Sequence, residues 1–145
     1  MSISYKAMTK ANAFLKPLTP EAEKSLGTKL YQIPIFPFRV GRESRQHQAG
    51  NYPNSRRHTN SIPNNDLYLI EATQPLNVSR EHFQIEWRDD QFFISDRGSA
   101  CGTLVEGVAI GGHRTGGQHL LLGGDVIIVG TSESRHIYKF IATPA

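Results

Sequence analysis

The chain has 145 residues, of which 38% are hydrophobic and 20% are charged, and its formal net charge is +3. This length suits one domain with a substantial core, and the composition excludes an intrinsically disordered chain. The charge is too small to indicate nucleic-acid binding by itself, and no apolar stretch approaches the roughly 20 residues of a membrane span.

The cysteine and histidine content limits the compartment and the chemistry. Cys101 is the only cysteine, so no disulfide can form within the chain and nothing indicates an oxidising compartment. The N-terminal sequence has no continuous apolar segment of the kind that a secretory signal requires. The six histidines show no spacing typical of a metal site. We therefore expect a cytoplasmic protein without metal or other cofactor.

Residues 1–28 differ from the rest and predict a helical N-terminal extension. Apolar residues fall at helical spacing across residues 7–15. Further on, Thr19 is typical of an N-cap, Pro20 of a first helical position, and Gly27 of a helix stop. We expect these short helices to pack against the domain, with a basic amphipathic helix that binds a partner or a membrane as the alternative.

Short strands follow, and they predict one all-β domain over residues 29–145. Segments rich in β-branched and aromatic residues are separated by Gly, Asp and Asn. This pattern predicts an antiparallel β-sandwich or barrel. The polar interval 43–65 fits neither pattern and predicts a long surface loop. Its basic side chains either extend a binding surface or are simply solvated; they are Arg45, His47, Arg56, Arg57 and His58.

Ser79, His82 and Asp96 invite comparison with a hydrolase triad. An offset of three would place the serine and the histidine on opposite faces of a continuous strand. No nucleophile-elbow motif is present, and Asp96 precedes a turn-forming Arg-Gly-Ser sequence. We therefore predict no enzyme and no catalytic residue.

The same region also fits an anion-binding site. Arg42 follows one strand, Ser79 and Arg80 precede another, and residues 98–102 form a third turn. Loops at one end of a β-sandwich come together although they are distant in sequence. Two guanidinium groups and a hydroxyl suit a phosphate, because arginine offers a rigid donor fork and serine a short neutral donor.

These pieces resemble the forkhead-associated (FHA) domain, a module that binds phosphothreonine peptides. The resemblance implies an all-β fold, an antiparallel β-sandwich of two twisted sheets. The resemblance covers most of residues 29–142 and follows the family's order: "FRVGR", "NVSREHFQIEW", "FFISDRGSACGTLVEGVAI" and "LLLGGDVIIVG". The S-R-x-H element is intact at residues 79–82. The D-x-x-S-x-N-G-T element lies at residues 96–103, with Cys101 where the family has asparagine.

The resemblance implies a role for each site residue. Arg42 and Ser79 would contact the phosphate, with Arg80 assisting, while Ala100 and Cys101 would lie along the peptide. A further set would have structural roles, with the histidine bracing the Ser79 loop; it comprises Gly41, His82, Asp96, Ser99, Gly102 and Thr103.

The function implied is a non-enzymatic adaptor in protein kinase signalling or complex assembly. Its partner would be a protein phosphorylated on threonine, either a serine/threonine kinase or a kinase substrate. Cys101 keeps an alternative open, because a thiol cannot reproduce the paired hydrogen bonds of an amide: a phosphate-independent scaffold on the same fold. Nucleic-acid binding through the "SRRH" sequence at residues 55–58 and neighbouring basic residues is less favoured.

Overall fold

The computed structural model describes residues 11–45 and 64–144. Within them the chain forms eleven strands and one helix. In chain order these are β1 (Asn12–Pro17), α1 (Pro20–Leu26), β2 (Tyr31–Gln32), β3 (Phe38–Arg42), β4 (Leu67–Leu69), β5 (Phe83–Arg88), β6 (Gln91–Asp96), β7 (Thr103–Val105), β8 (Val108–Ile110), β9 (Gly117–Leu121), β10 (Val126–Val129) and β11 (Ile137–Thr143).

The strands form two sheets, which confirms the predicted β-sandwich. One has six strands in the order β2-β1-β11-β10-β7-β8, and the other has five in the order β4-β3-β5-β6-β9. The pair β3–β4 is parallel, in contrast to the antiparallel pairing expected throughout. A parallel pair needs a crossover connection of a dozen or more residues, which the long interval after β3 supplies.

Alternating side chains fill the space between the sheets. In β5, Phe83 and Ile85 are buried at 1% and 0% exposure, and Phe140 of β11 is fully buried. Phe92 of β6 joins the two sheets, since its ring lies 4.6 Å from that of Trp87 and 5.0 Å from that of Phe140. Burying a side chain of this size contributes roughly 1.5–3 kcal/mol. The core therefore fixes how the strand ends, and the loops they carry, are placed.

The N-terminal segment corrects one prediction. The helix predicted across residues 7–15 is wrong where the structure describes it, because Asn12–Pro17 is strand β1, paired with β11 and β2. Buried Ala13 and Leu15 alternate with exposed Asn12 and Lys16, so this short run fits a period of two as well as a helical one. Pairing with the long strand β11 decides between them.

The second predicted helix is confirmed as α1. Thr19 is its N-cap, accepting a hydrogen bond from the Ala22 N–H at 3.1 Å, and Pro20 occupies the first turn. Gly27 ends the helix in the left-handed conformation, with φ of 76°. No helix in residues 11–45 or 64–144 has the length and apolar character to cross a bilayer. The division of the chain at residue 28 stays a prediction.

Candidate functional site

Four segments converge at one end of the sandwich around a pocket of about 250 Å³. They are the end of β3, the segment before β5, the turn between β6 and β7, and the loop between β8 and β9. We call it the basic pocket; its lining residues are Arg42, Leu76, Asn77, Val78, Ser79, Arg80, Ala100, Cys101 and Arg114. The structure thus brings together all five residues predicted to contact a phosphopeptide.

Arg42 is held against the loop before β5 by two hydrogen bonds. Its backbone N–H donates to the Ser79 carbonyl at 2.9 Å, and its side-chain Nε donates to the Val78 carbonyl at 2.9 Å. The second bond orients the guanidinium while using only one of its five N–H donors. Arg42 is therefore positioned at the pocket by the neighbouring loop itself.

Ser79 is fixed through both its backbone and its side chain. Its backbone N–H donates to Nδ1 of His82 at 2.9 Å, and its Oγ accepts from the Ala100 N–H at 3.0 Å. Since the oxygen acts as an acceptor in this contact, the hydroxyl proton can be donated to an anion in the pocket.

His82 connects two of the converging loops from below. The residue is fully buried, and its Nε2 lies 2.7 Å from the Gly102 carbonyl oxygen. Because Nδ1 accepts from Ser79, the ring proton resides on Nε2 and is donated to Gly102. Burial lowers the pKa of His82, which favours this neutral form. The ring contacts the Ser79 backbone rather than its hydroxyl, so it is not placed as a base for that serine.

Asp96 organises the turn between β6 and β7. Its Oδ2 accepts hydrogen bonds from the hydroxyls of Ser99 and Thr103, at 2.7 and 2.9 Å, and its Oδ1 accepts from the Ser99 N–H at 2.8 Å. The Ser99 hydroxyl oxygen in turn accepts from the Gly102 N–H at 2.8 Å. The carboxylate is engaged within its own turn, and Ser79, His82 and Asp96 form no proton relay.

Gly41 permits the closest backbone approach at the site. A Cβ added to this residue would lie 1.9 Å from the carbonyl oxygen of Arg80 and 2.7 Å from Nδ2 of Asn65. That same amide donates to the Arg80 carbonyl at 2.8 Å. The absence of a side chain at residue 41 thus sets the position of the loop that carries Ser79 and Arg80.

Arg114 is a pocket residue that the sequence did not reveal. It lies in a glycine-rich loop, where His113 and Arg114 have φ angles of 53° and 62°. Their backbone N–H groups donate to the carbonyls of Ala100 and Ser99, both at 2.9 Å, which brings this loop beside the β6–β7 turn. The lining of the basic pocket thus holds three arginines and no carboxylate. An arginine between two glycine pairs, in "GGHRTGG", was the available signal.

Cys101 and Arg45 differ in their relation to the pocket. Cys101 is half-buried at its wall, with Sγ 3.9 Å from the Leu76 carbonyl oxygen, a weak contact. Arg45 does not line the basic pocket; it pairs with Glu43 at 2.6 Å and lies over the Tyr68 ring at 3.5 Å.

The remaining basic residues that were considered in the interval 43–65 lie outside the described residues; they are His47, Arg56, Arg57 and His58. The sequence at residues 55–58, considered for nucleic-acid binding, lies outside them as well. Across residues 11–45 and 64–144, no cluster of three His, Cys, Asp or Glu side chains could hold a metal ion.

Comparisons with known proteins agree with this architecture. The FHA domain family model matches residues 38–130. The chain is similar to the kinase-interacting FHA domain of the kinase-associated protein phosphatase of Arabidopsis, with a TM-score of 0.59, 21% identity, and 93% and 96% of the two chains covered. Yeast splicing factor Pml1 gives a TM-score of 0.56 at 20% identity, over 93% of this chain and 80% of that one.

A third similar structure is much longer than this chain. Mycobacterium tuberculosis EmbR, solved in complex with a low-affinity phosphopeptide, gives a TM-score of 0.56 at 21% identity and covers 93% of this chain. The match spans 25% of EmbR, so this chain corresponds to about a quarter of that protein. No curated protein sequence matches the chain.

Proposed function

This chain belongs to the FHA domain family, and on that premise we propose that it is a non-enzymatic adaptor that binds phosphothreonine in a partner protein. The observation that carries the proposal is the basic pocket: three arginines and the Ser79 hydroxyl line it, and no carboxylate does. Phosphorylation gives threonine a charge of about −1.5 to −2 and strong acceptor oxygens. The lining of the pocket is complementary to such a group.

Within this proposal, Arg42 and Ser79 bind the phosphate, and Arg80 and Arg114 add positive charge around it. An unphosphorylated threonine would offer the Arg42 guanidinium no anion to bind in the pocket, which is how the site discriminates. A hydrogen bond to a charged group contributes about 1.5–3 kcal/mol, and about 1.4 kcal/mol corresponds to tenfold in affinity. Arg42 alone is therefore expected to supply tenfold or more.

The related structures support the class of partner that we propose. The Arabidopsis domain is kinase-interacting, and EmbR was solved with a phosphopeptide. We accordingly propose that the partner here is a serine/threonine kinase or a kinase substrate, and that the adaptor acts in signalling or in complex assembly. A cytoplasmic location remains a prediction from the sequence.

The test compares matched peptide pools with a fixed central phosphothreonine or threonine and mixed flanking residues. Isothermal titration calorimetry with the wild-type chain should detect binding of the phosphorylated pool only. Arg42→Ala should weaken that binding tenfold or more, whereas Arg88→Ala, which removes an exposed guanidinium from β5, should leave it unchanged. Thermal unfolding of both variants checks that they fold. Equal binding of the two pools by the wild-type chain would refute the proposal.

A second candidate function rests on Cys101. Without an amide at this position the peptide main chain loses hydrogen bonds, so the fold could serve as a scaffold that binds partners without a phosphate. The same experiment separates the two functions. A scaffold keeps its cellular partner after Arg42→Ala and after phosphatase treatment of that partner, while a phosphothreonine adaptor loses it in both cases.

A further inference from the structure

A second pocket adjoins the basic pocket and carries the opposite charge. It has a volume of about 210 Å³, and its lining includes three carboxylates and one guanidinium, a formal charge of −2. We call it the acidic pocket; its charged residues are Glu21, Glu71, Glu133 and Arg135. Asn77 lines both pockets, so they lie side by side along one surface.

The three carboxylates differ in what they already bind. Glu71 accepts the backbone N–H groups of Asn77 and Val78, at 2.9 and 2.8 Å, and so supports the loop before β5. Glu21 faces Arg135 at 3.4 Å. The Glu133 side chain is exposed and has no hydrogen bond or ion pair with any residue in the described ranges. It is the carboxylate available to a ligand.

His136 provides an independent sign that this pocket receives a donor. The residue lines the pocket and is 2% exposed, and its Nδ1 is buried without a hydrogen-bond partner in the described part of the chain. Burial lowers the pKa of His136, so the ring is neutral near pH 7. A buried polar nitrogen without a partner is costly, and in the neutral tautomer with its proton on Nε2, Nδ1 accepts a hydrogen bond from an ammonium or guanidinium group.

We propose that the acidic pocket binds a lysine or arginine side chain of the same phosphorylated partner. This inference rests on the proposed function, since the phosphothreonine in the basic pocket would hold the peptide in place. An extended chain advances about 3.3 Å per residue, so a cation within about three residues of the phosphothreonine reaches past Asn77. Adjacent pockets of opposite charge thus select a peptide with the complementary charge pattern.

Family membership does not supply this site. Glu21 belongs to α1, and Glu133, Arg135 and His136 lie between β10 and β11, whereas the family match covers residues 38–130. Three of the four charged side chains of the acidic pocket therefore lie outside the matched region, and they would distinguish this domain's partners from those of a domain with the basic pocket alone.

The experiment is a double-mutant cycle between the domain and its peptide. Phosphothreonine peptides are prepared with arginine, glutamine or glutamate at each position within three residues of the phosphothreonine. Their affinities are measured by fluorescence anisotropy with the wild-type chain, with Glu133→Gln, with Glu133→Lys and with Asp90→Asn. The control removes one exposed carboxylate from the β5–β6 turn, and asparagine tolerates the φ of 62° at that residue.

We expect arginine to be preferred over glutamine about twofold to fivefold at one position or more, the range of a partly exposed ion pair. Glu133→Gln should abolish that preference, Glu133→Lys should reverse it in favour of a glutamate peptide, and Asp90→Asn should retain it. No preference at any position, or the same preference in Glu133→Gln, would overturn this inference. If binding still requires the phosphate in that case, the proposed function stands and only the acidic pocket fails as a binding site.

Discussion

Replacing His82 with phenylalanine tests the support beneath the basic pocket. The ring is fully buried and links the Ser79 N–H to the Gly102 carbonyl. Phenylalanine retains an aromatic ring in the core but leaves both backbone groups without a partner. An unpaired buried group costs about 1–3 kcal/mol. Because the Gly102 carbonyl is buried and the Ser79 N–H is partly buried, His82→Phe should lower the free energy of unfolding by at least about 1–3 kcal/mol. This is an appreciable share of the roughly 5–15 kcal/mol typical of a domain.

The same ring makes stability depend on pH. Burial lowers the pKa of His82 below its ordinary value near 6.5, and the pKa of His136 is lowered for the same reason. Just below pH 6.5 the unfolded chain therefore binds protons that the folded chain does not. The free energy of unfolding should fall as the pH falls from about 6.5, by at most about 1.4 kcal/mol per pH unit and histidine, until the folded-state pKa values are passed.

Urea unfolding followed by Trp87 fluorescence measures both effects. Wild type, His82→Phe and the exposed control His113→Asn are compared at pH 7.5 and 5.5. The control should stay within about 0.5 kcal/mol of wild type. His82→Phe should be less stable at pH 7.5 and should lose less stability on acidification, because the contribution of His82 to the pH dependence is removed and that of His136 remains. A loss below about 1 kcal/mol at pH 7.5, or a pH decrement equal to that of wild type, would refute the role given to His82.

Two further substitutions test the path of the backbone and the departure from the family motif. Gly41→Ala should destabilise the domain by at least about 1–3 kcal/mol and abolish phosphopeptide binding, because its Cβ would lie 1.9 Å from the Arg80 carbonyl oxygen. Gly123→Ala, whose Cβ would meet nothing closer than 3.6 Å, is the matched control in chemical unfolding and calorimetry. Cys101→Asn should tighten phosphopeptide binding about twofold to tenfold by restoring amide hydrogen bonds, with Cys101→Ser as control. Equal affinities of Cys101→Asn and wild type for the phosphopeptide would show that an asparagine at residue 101 forms no hydrogen bond with the peptide.

Local sequence signals were sufficient where one residue type determines one backbone geometry. Thr19, Pro20 and Gly27 predicted the two ends of α1, and all three stand where expected. Most strands could be predicted equally well, because alternating hydrophobicity and the turn residues at their ends indicate the same boundaries. The segment that forms β1 could not be recognised as a strand. Its six residues fit both the helical period and the period of two, and its partner β11 lies more than 120 residues further along the chain. Pairing over such a distance leaves no local mark in the sequence.

The candidate site was predictable only to the extent that it follows the family motif. Arg42, Ser79 and Arg80 could be placed together from their order along the chain. Arg114 could not, because its position depends on a loop with positive φ angles and on backbone hydrogen bonds to Ser99 and Ala100. The acidic pocket could not be predicted for a similar reason, because its charged residues come from three segments that lie far apart in the sequence.

The loop before β5 separates the two pockets and forms hydrogen bonds with a charged side chain of each, so their opposite charges can lie close together. Glu71 lines the acidic pocket, and its carboxylate holds the N–H groups of Asn77 and Val78. The Val78 carbonyl in turn accepts from Nε of Arg42 in the basic pocket. The carboxylate thus satisfies backbone donors on one side of the loop while the guanidinium binds a carbonyl on the other. Charges separated by a hydrogen-bonded loop do not neutralise each other by direct pairing, so each pocket keeps the charge with which it would meet a ligand.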